Sequence, residues 1–183
     1  LQGTNKIGKT TLLRFLSDPD GARTRYRDAL VTYGMSLDRD LAFLYLDCYH
    51  REGLDFFLDL YERVRGSLID KPVRDVDPMP EIDPDASDEA KAQIKQGLLR
   101  AFRAVERQGT RLVICLDHFD EGFKSMAYED DVFLRNLAQH HAFVIATEQS
   151  LVALRRHSRY TSPLINILIP RNIGLMTGAA ARA

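Results

Sequence analysis

The chain has 183 residues, the length of one ordinary domain, with 45% hydrophobic and 28% charged residues. This composition excludes a collagen-like repeat, a low-complexity disordered chain and a disulfide-stapled miniprotein. With 25 basic against 26 acidic side chains, the net charge of −1 gives no overall attraction to nucleic acid or to an anionic membrane surface, so neither partner is indicated.

The first half of the chain predicts a helix, a strand and a second helix. Residues Lys9–Leu16 are predicted as a short helix, followed by the breaker sequence SDPDG. The continuous apolar run Leu41–Cys48 predicts a buried strand, and the apolar residues of Leu54–Val64 recur at helical spacing. Strand-like and helix-like segments alternate in this way along the chain, which predicts an α/β domain with a mainly parallel sheet.

An acidic, proline-rich loop is predicted for residues 66–86. Between Asp70 and Glu89 the sequence has eight acidic residues, two basic residues and four of the seven prolines. Proline has no amide hydrogen and a fixed φ, so this spacing denies the backbone both a helix and an inner strand. We interpret the segment as a surface insertion.

The second half of the chain predicts further helices and strands. Ser87 is predicted to cap a long helix, with Asp88 and Glu89 at its positive end and Gly109 at its C-terminus. Strands are then predicted over Leu112–Leu116, Ala142–Ala146 and Ile165–Ile169, and helices over Asp130–His140 and Gln149–His157. The membrane is not an expected partner, because the longest apolar stretches are strand-length and a membrane helix needs about 20 residues.

A phosphate-binding loop is predicted at the front of the chain, where GTNKIGKT matches the pattern G-x-x-x-x-G-K-[ST]. Gly3 and Gly8 permit backbone angles that a Cβ would forbid, so that amide groups converge on a phosphate at the positive end of the next helix. Lys9 supplies a charge for the β- and γ-phosphates, and the Thr10 hydroxyl is a ligand for Mg²⁺. The predicted nucleotide contacts are Gly3, Thr4, Asn5, Lys6, Ile7, Gly8, Lys9, Thr10 and Thr11.

A loop of this kind follows a buried strand, and here only Leu1 and Gln2 precede it. We therefore expect a single P-loop NTPase domain over residues 1–183 that is a fragment of a longer multidomain protein, with its first strand truncated.

The second metal ligand is predicted to be Asp117, which follows the apolar run Leu112–Leu116. Ligands of open α/β sheets bind at the carboxyl ends of the strands, so Asp117 would hold Mg²⁺ opposite Thr10. Asp47 ends the preceding predicted strand and either faces the same edge or begins a turn.

Four segments together resemble P-loop ATPases of the AAA+/STAND group: the loop GTNKIGKT, the strand end LVICLDHFDE, the strand AFVIATEQS and the segment TSPLINIL. The resemblance implies a three-layer sandwich with a five-stranded parallel sheet in the order 5-1-4-3-2. It also implies a nucleotide-driven switch and further domains on the same chain.

Two positions depart from the pattern of this group. The hydrolytic acid usually follows the metal aspartate directly, and that position is His118, which is a candidate contact to the γ-phosphate. Asp120 and Glu121 are then the candidates for orienting the attacking water. Thr147 falls at the position of the group's γ-phosphate sensor, but Glu148 stands where a basic residue is usual.

Other polar residues admit two interpretations. His140 and His141 have no third ligand at a useful spacing, so we interpret them as surface histidines at a helix end. Arg155, Arg156 and Arg159 either reach a phosphate in a neighbouring subunit or complement a helix C-terminus. Cys48 and Cys115 lie in apolar runs, which indicates buried, reduced thiols and a cytoplasmic protein.

The sequence therefore predicts ATP·Mg²⁺ binding, with slow hydrolysis, by a regulatory domain that acts as a nucleotide-dependent switch. Lys9 would stabilise charge, Thr10 and Asp117 would hold the metal and Thr147 would sense the γ-phosphate. ATP is preferred over GTP because no guanine-selecting motif is present. The expected partners are ATP, other domains of the same chain and further copies in a homo-oligomer. The alternatives are a non-hydrolysing nucleotide-binding interaction module and a P-loop small-molecule kinase with the three arginines as a lid.

Overall fold

Helices and strands alternate along the computed structural model, which describes residues 1–2, 7–18, 20–32, 41–67, 87–124, 126–155 and 162–173. In chain order the elements are α1 (Lys9–Ser17), α2 (Ala22–Arg25), α3 (Arg27–Thr32), β1 (Leu41–Asp47), α4 (Gly53–Gly66), α5 (Ser87–Arg107), β2 (Arg111–Asp117), α6 (Phe119–Lys124), α7 (Tyr128–Ala138), β3 (Ala142–Ile145), α8 (Leu151–Arg155) and a 3₁₀ turn (Ile165–Ile167). Among these residues, no helix combines the length and the apolar character that crossing a bilayer requires.

The three strands form a parallel sheet in the order β1-β2-β3. The pairing of β1 with β2 runs from Leu41 opposite Arg111 to Asp47 opposite Asp117. β2 is the central strand and is apolar on both faces, as a strand covered by helices on both sides must be. Because parallel strands end at the same edge, Asp47 and Asp117 lie side by side at the carboxyl rim of the sheet.

Two isolated bridges extend the sheet beyond β3. Gln2 lies parallel to both Thr147 and Asn172. Its N–H donates to Arg171 O at 2.9 Å, and its carbonyl accepts from Ile173 N–H at 3.0 Å. Asn172, Gln2, β3, β2 and β1 thus follow one another across the sheet, which confirms the order 5-1-4-3-2 and the mainly parallel architecture.

Helices cover both faces of the sheet, so the fold is a three-layer sandwich. On one face, Leu44, Leu46, Ile114 and Leu116 belong to the main hydrophobic core, which is completed by apolar residues of α4, α5, α6 and α7. On the other face, Leu13 of α1 packs with Cys115 and Ala146. Cys48 and Cys115 are free and buried, as the sequence predicts.

A cluster of charged side chains joins α5 to α7 in the helical layer that covers the main hydrophobic core. The ammonium groups of Lys91 and Lys95 both contact the carboxylate of Asp130, whose side chain is only 2% exposed. Lys95 also lies over the rings of Phe57 and Phe133, at 4.9 and 5.4 Å from their centroids. The two lysine ammonium groups therefore pair with the buried carboxylate of Asp130 and also lie over aromatic rings.

The predicted strand over Ile165–Ile169 is wrong. Ile165–Ile167 form a 3₁₀ turn instead, and the strand position at this edge is taken by Asn172. Two side chains stabilise the turn by hydrogen bonds to its amides. Ser162 Oγ accepts from Ile165 N–H at 3.2 Å, and Asp131 Oδ1 accepts from Leu164 N–H at 3.1 Å. These contacts satisfy amides that a strand would have paired with its neighbour.

The interpretation of both histidines after α7 as surface residues is also wrong for one of them. The His140 side chain is 66% exposed, but that of His141 is 1% exposed and packs on Phe102, with ring centroids 4.6 Å apart. His141 directly precedes β3, so its ring points into the layer between the sheet and α5.

The other predicted helices and strands are present, with ends shifted by a few residues where they fall within the described ranges. The sequence analysis did not predict α2, α3 or α6. Most of the acidic loop lies outside the described residues, which resume at residue 87. The predicted helix over Gln149–His157 is described as far as Arg155.

Candidate functional site

The start of α1 lies at the carboxyl rim of the sheet. Gln2 is bridged to Thr147, just past the end of β3, and Thr147 N–H donates to Leu1 O at 3.0 Å. Lys9 is the first residue of α1. From there α1 runs back under the sheet, with Leu13 against Cys115.

Gly8 provides the backbone turn that begins α1. Its φ is +90°, in a region that side chains with a Cβ rarely adopt, and its carbonyl accepts the first helical hydrogen bond from Leu12 N–H at 2.9 Å. Lys9 follows and is 7% exposed, Thr10 is half-buried and Thr11 is exposed. Gly3, Thr4, Asn5 and Lys6 lie outside the described residues.

Asp117 lies at the same rim and on the face of the sheet that carries α1. Its side chain is 1% exposed, and Cys115, two residues earlier on the same face, packs on α1. Asp117 Oδ1 accepts from His118 N–H at 3.1 Å, and Oδ2 accepts from the Tyr45 hydroxyl at 3.0 Å. Each oxygen of the Asp117 carboxylate thus accepts one hydrogen bond.

Tyr45 and Arg14 continue this chain of contacts back to α1. The guanidinium carbon of Arg14 lies 5.5 Å from the centroid of the Tyr45 ring. Burial raises the pKa of Tyr45 to about 12, although the contact with Arg14 opposes the rise, so the hydroxyl keeps its proton and donates at neutral pH. The sequence analysis missed both residues. The available signal was that Tyr45 precedes Asp47 by two positions and so shares its face of the strand.

His118 bridges the two aspartates at the strand ends. Its Nδ1 lies 2.9 Å from Asp47 Oδ1 and 4.0 Å from Asp117 Oδ2. Burial lowers the pKa of His118, but the hydrogen bond to Asp47 and the two carboxylate charges outweigh it and leave the pKa above its ordinary value. Asp47 Oδ1 also accepts from Tyr49 N–H at 3.1 Å, so this acid both begins a turn and faces the rim. The φ of His118 is +49°, a strained conformation that lets the chain turn directly into α6.

The remaining predicted residues lie around this rim in different environments. Asp120 is 3% exposed, and its Oδ1 accepts from Glu148 N–H at 3.3 Å. Thr147 is 4% exposed and adjoins this contact. Glu121 instead pairs with Lys124 at 2.8 Å on α6. The structure therefore ties Asp120 to the end of β3, and Glu121 to its own helix.

Arg155 is the last residue of α8, and Arg156 and Arg159 lie outside the described residues.

The donor set at the rim has the chemistry that Mg²⁺ requires. Mg²⁺ in phosphate-binding sites takes one or two protein oxygens and completes its shell with phosphate and water. The carboxylate of Asp117 and the hydroxyl of Thr10 supply such oxygens. Within the described ranges no group of three or more histidine, cysteine or acidic side chains is arranged to hold a metal by itself.

An apolar groove of about 480 Å³ runs along β3 and reaches Gln2 and Thr147 at its upper end. Its walls include Leu1, Phe143, Ile145, Leu151 and Leu168. Neither Lys9 nor Asp117 lines it, and such a surface offers a triphosphate few charged partners. The rim is therefore the better candidate site.

Comparison with known proteins identifies the fold through solved structures. The ADP form of the ORC2 protein of Aeropyrum pernix matches with a TM-score of 0.55 and 17% identity, over 91% of this chain and 38% of that chain. Its ADPNP–ADP complexes match with a TM-score of 0.53 and 18% identity, over 86% of this chain and 37% of that one. The Aeropyrum pernix ORC1 protein in complex with DNA matches with a TM-score of 0.51 and 14% identity, over 99% of this chain and 40% of that one.

The chain thus spans less than half the length of these proteins. No protein-family model and no curated protein sequence matches it. At these identities the likeness establishes the fold alone, which is a three-layer α/β sandwich of the P-loop NTPase type with a mainly parallel sheet.

Proposed function

We propose that the carboxyl rim binds ATP with Mg²⁺, and that the chain is a single P-loop NTPase domain of a regulatory switch. The observation that carries the proposal is the shared position of two groups. Helix α1, which begins after Gly8 with Lys9 and Thr10, packs through Leu13 on the face of the sheet that carries Asp117 at its carboxyl end, and this supports placing both groups in one site.

The roles follow from the chemistry of each group. The amides of residues 3–8 and the positive end of α1 would receive the phosphates, and Lys9 would neutralise charge on the β- and γ-phosphates. Thr10 and Asp117 would hold Mg²⁺, which when bound neutralises charge as the γ-phosphate departs. Thr147 would sense the γ-phosphate. Binding of ADP and ADPNP by the structurally similar ORC2 protein supports the choice of an adenine nucleotide.

The test is the affinity of the full chain for ATP, measured by calorimetric titration in wild type and in Lys9→Ala. We expect Lys9→Ala to weaken binding by at least tenfold, because one charge over the phosphates is lost. Lys124→Ala is the matched control, since Lys124 is exposed and pairs with Glu121 on α6. Equal ATP affinity in wild type and Lys9→Ala would refute the proposal.

Hydrolysis is proposed to be slow. His118 occupies the position of the usual hydrolytic acid, and its Nδ1 faces Asp47. Asp120 and Glu121 remain the candidates for orienting water, although each is engaged by another group. Phosphate release over hours, abolished by Asp117→Asn, would support a slow ATPase.

A non-hydrolysing nucleotide-binding module is the second candidate, and the same His118–Asp47 contact favours it. This candidate predicts ATP binding without phosphate release above that of Asp117→Asn. In both cases we propose that bound nucleotide orders the phosphate loop and changes contacts with other domains or with further copies of the chain, as in switches of the STAND group. The buried free thiols fit a cytoplasmic location.

A further inference from the structure

We propose that Tyr45 is a positioning residue for Asp117, and that Arg14 links this tyrosine to the helix that begins at the phosphate loop. The inference rests on the proposed nucleotide function and deepens it, since it assigns how the metal ligand is held in place.

The register of the sheet explains why Tyr45 reaches Asp117. Tyr45 is opposite Cys115, and Asp47 is opposite Asp117, so Tyr45 is the diagonal neighbour of Asp117 on one face. Across this diagonal the Tyr45 hydroxyl donates to Asp117 Oδ2 at 3.0 Å. An ordinary apolar residue at position 45 would leave that buried oxygen without this donor.

The carboxylate needs such a restraint because it stands beside a like charge. Asp47 is its register partner, and two adjacent carboxylates repel. The Tyr45 hydroxyl on Oδ2 and the His118 amide on Oδ1 hold the group from both sides. Rotation of the carboxylate would break both hydrogen bonds, so its orientation toward the rim is fixed before any metal arrives.

Arg14 makes the link to α1. It follows Lys9 and Thr10 by little more than one helical turn, and its guanidinium covers the Tyr45 ring. Contact with Tyr45 raises the pKa of Arg14, and the charges of Asp47 and Asp117 raise it further. The contacts Arg14–Tyr45–Asp117 therefore connect one proposed metal ligand, Asp117, to the helix that carries the other, Thr10.

The test is the affinity of the ADP-bound full chain for Mn²⁺ and Mg²⁺, measured by electron paramagnetic resonance and by calorimetric titration. Tyr45→Phe removes only the hydroxyl and keeps the ring under Arg14. We expect a loss of metal affinity of about tenfold or more. Affinity for ADP in the presence of a chelator should stay within about twofold of wild type, because the phosphate contacts are untouched.

Controls separate positioning from general stability. Tyr26→Phe also removes a tyrosine hydroxyl, on an exposed residue of the α1 side, and should change neither affinity. Arg14→Met should reduce metal affinity by less than Tyr45→Phe does. A metal affinity within twofold of wild type in Tyr45→Phe would overturn the proposal, and so would an equal loss of ADP affinity with and without metal.

The same experiment distinguishes failure of this proposal from failure of the proposed function. If Lys9→Ala abolishes ADP binding while Tyr45→Phe keeps its metal affinity, only the positioning role is refuted. If wild type and Lys9→Ala bind ADP equally, the nucleotide site itself is refuted.

Discussion

Asp130 of α7 forms an ion pair with Lys95 of α5, although the Asp130 side chain is only 2% exposed. Lys91 makes a second ion pair with the same carboxylate. Asp130→Ala would leave two partly buried ammonium groups without their counter-ion, so we expect a loss of about 3 kcal/mol in the free energy of unfolding. Urea denaturation measures this loss.

The exposed pair between Arg51 and Asp59 is the control for this prediction. Its side chains are 47% and 32% exposed, so Asp59→Ala should cost less than about 1 kcal/mol. If Asp59→Ala and Asp130→Ala lowered the free energy of unfolding equally, burial of the Asp130 cluster would contribute nothing to stability.

His141 should make stability depend on pH. Burial lowers its pKa below the ordinary value of 6.5, the charges of His140 and Arg111 lower it further and Glu106 opposes them. As pH falls below 6.5 the unfolded chain binds a proton that the folded His141 still excludes, so the free energy of unfolding falls until the lowered pKa is reached. Above 6.5 this contribution is complete and constant.

The measurement is urea unfolding between about pH 5 and pH 8 in wild type, His141→Gln and His140→Gln. His141→Gln should have a smaller loss of stability on acidification than wild type, because no buried imidazole resists protonation. His140→Gln should follow the wild-type profile, since that side chain is 66% exposed. If the free energy of unfolding fell equally with pH in all three proteins, His141 would not be the source of the pH dependence.

Gly97 allows α5 to approach α4. A Cβ at this position would lie 3.0 Å from Tyr61 Cε2, closer than side chains normally tolerate. Gly97→Ala gains helix propensity of about 1 kcal/mol, but we expect overpacking to exceed that gain and to leave a net loss of about 1 kcal/mol. Gly66 ends α4, and in the described part of the chain no atom lies within 4 Å of its would-be Cβ, so Gly66→Ala should be neutral or stabilising by up to about 0.5 kcal/mol. Thermal unfolding compares the two, and stabilisation by both substitutions would exclude the steric account.

Gly8 should be required by its backbone rather than by space. Its φ is +90°, and among the described residues no atom lies within 4 Å of a would-be Cβ, so we expect Gly8→Ala to cost only backbone strain, about 1–2 kcal/mol. Gly109 has the same properties, with φ at +76°, at the end of α5. We expect both alanine variants to lose stability, and only Gly8→Ala to lose ATP affinity in a calorimetric titration. Unchanged ATP affinity in Gly8→Ala would mean that the turn does not shape a phosphate site.

Hydrophobic patterning was sufficient to predict the central part of this fold. The runs that form β1 and β2 are apolar on both faces, and a strand buried between two layers of helices is the structure that this pattern favours. The carboxyl-end position of Asp117 follows directly, because it is the first polar residue after such a run.

Contacts between distant residues decide what the pattern did not predict. The β-branched residues of INILI favour a strand, but Asp131, 33 positions away from Leu164, accepts its amide and helps to hold a 3₁₀ turn. The ring of His141 is buried because β3 places it beside Phe102, which no local signal reveals. The Tyr45–Asp117 hydrogen bond depends on the register of β1 against β2, and register is a property of the assembled sheet.

The bridges made by Gln2 have a consequence for the order of folding. They join the second residue to Thr147 and Asn172, so this part of the sheet has the largest loop to close and depends on contacts of very high sequence separation. On a ribosome, β1 and β2 can pair long before residue 172 has emerged, whereas the two bridges of Gln2 form only after residues 147 and 172 have been synthesised. The edge beside the phosphate loop is therefore expected to assemble last, and aggregation during synthesis should be most sensitive to mutations that slow its closure.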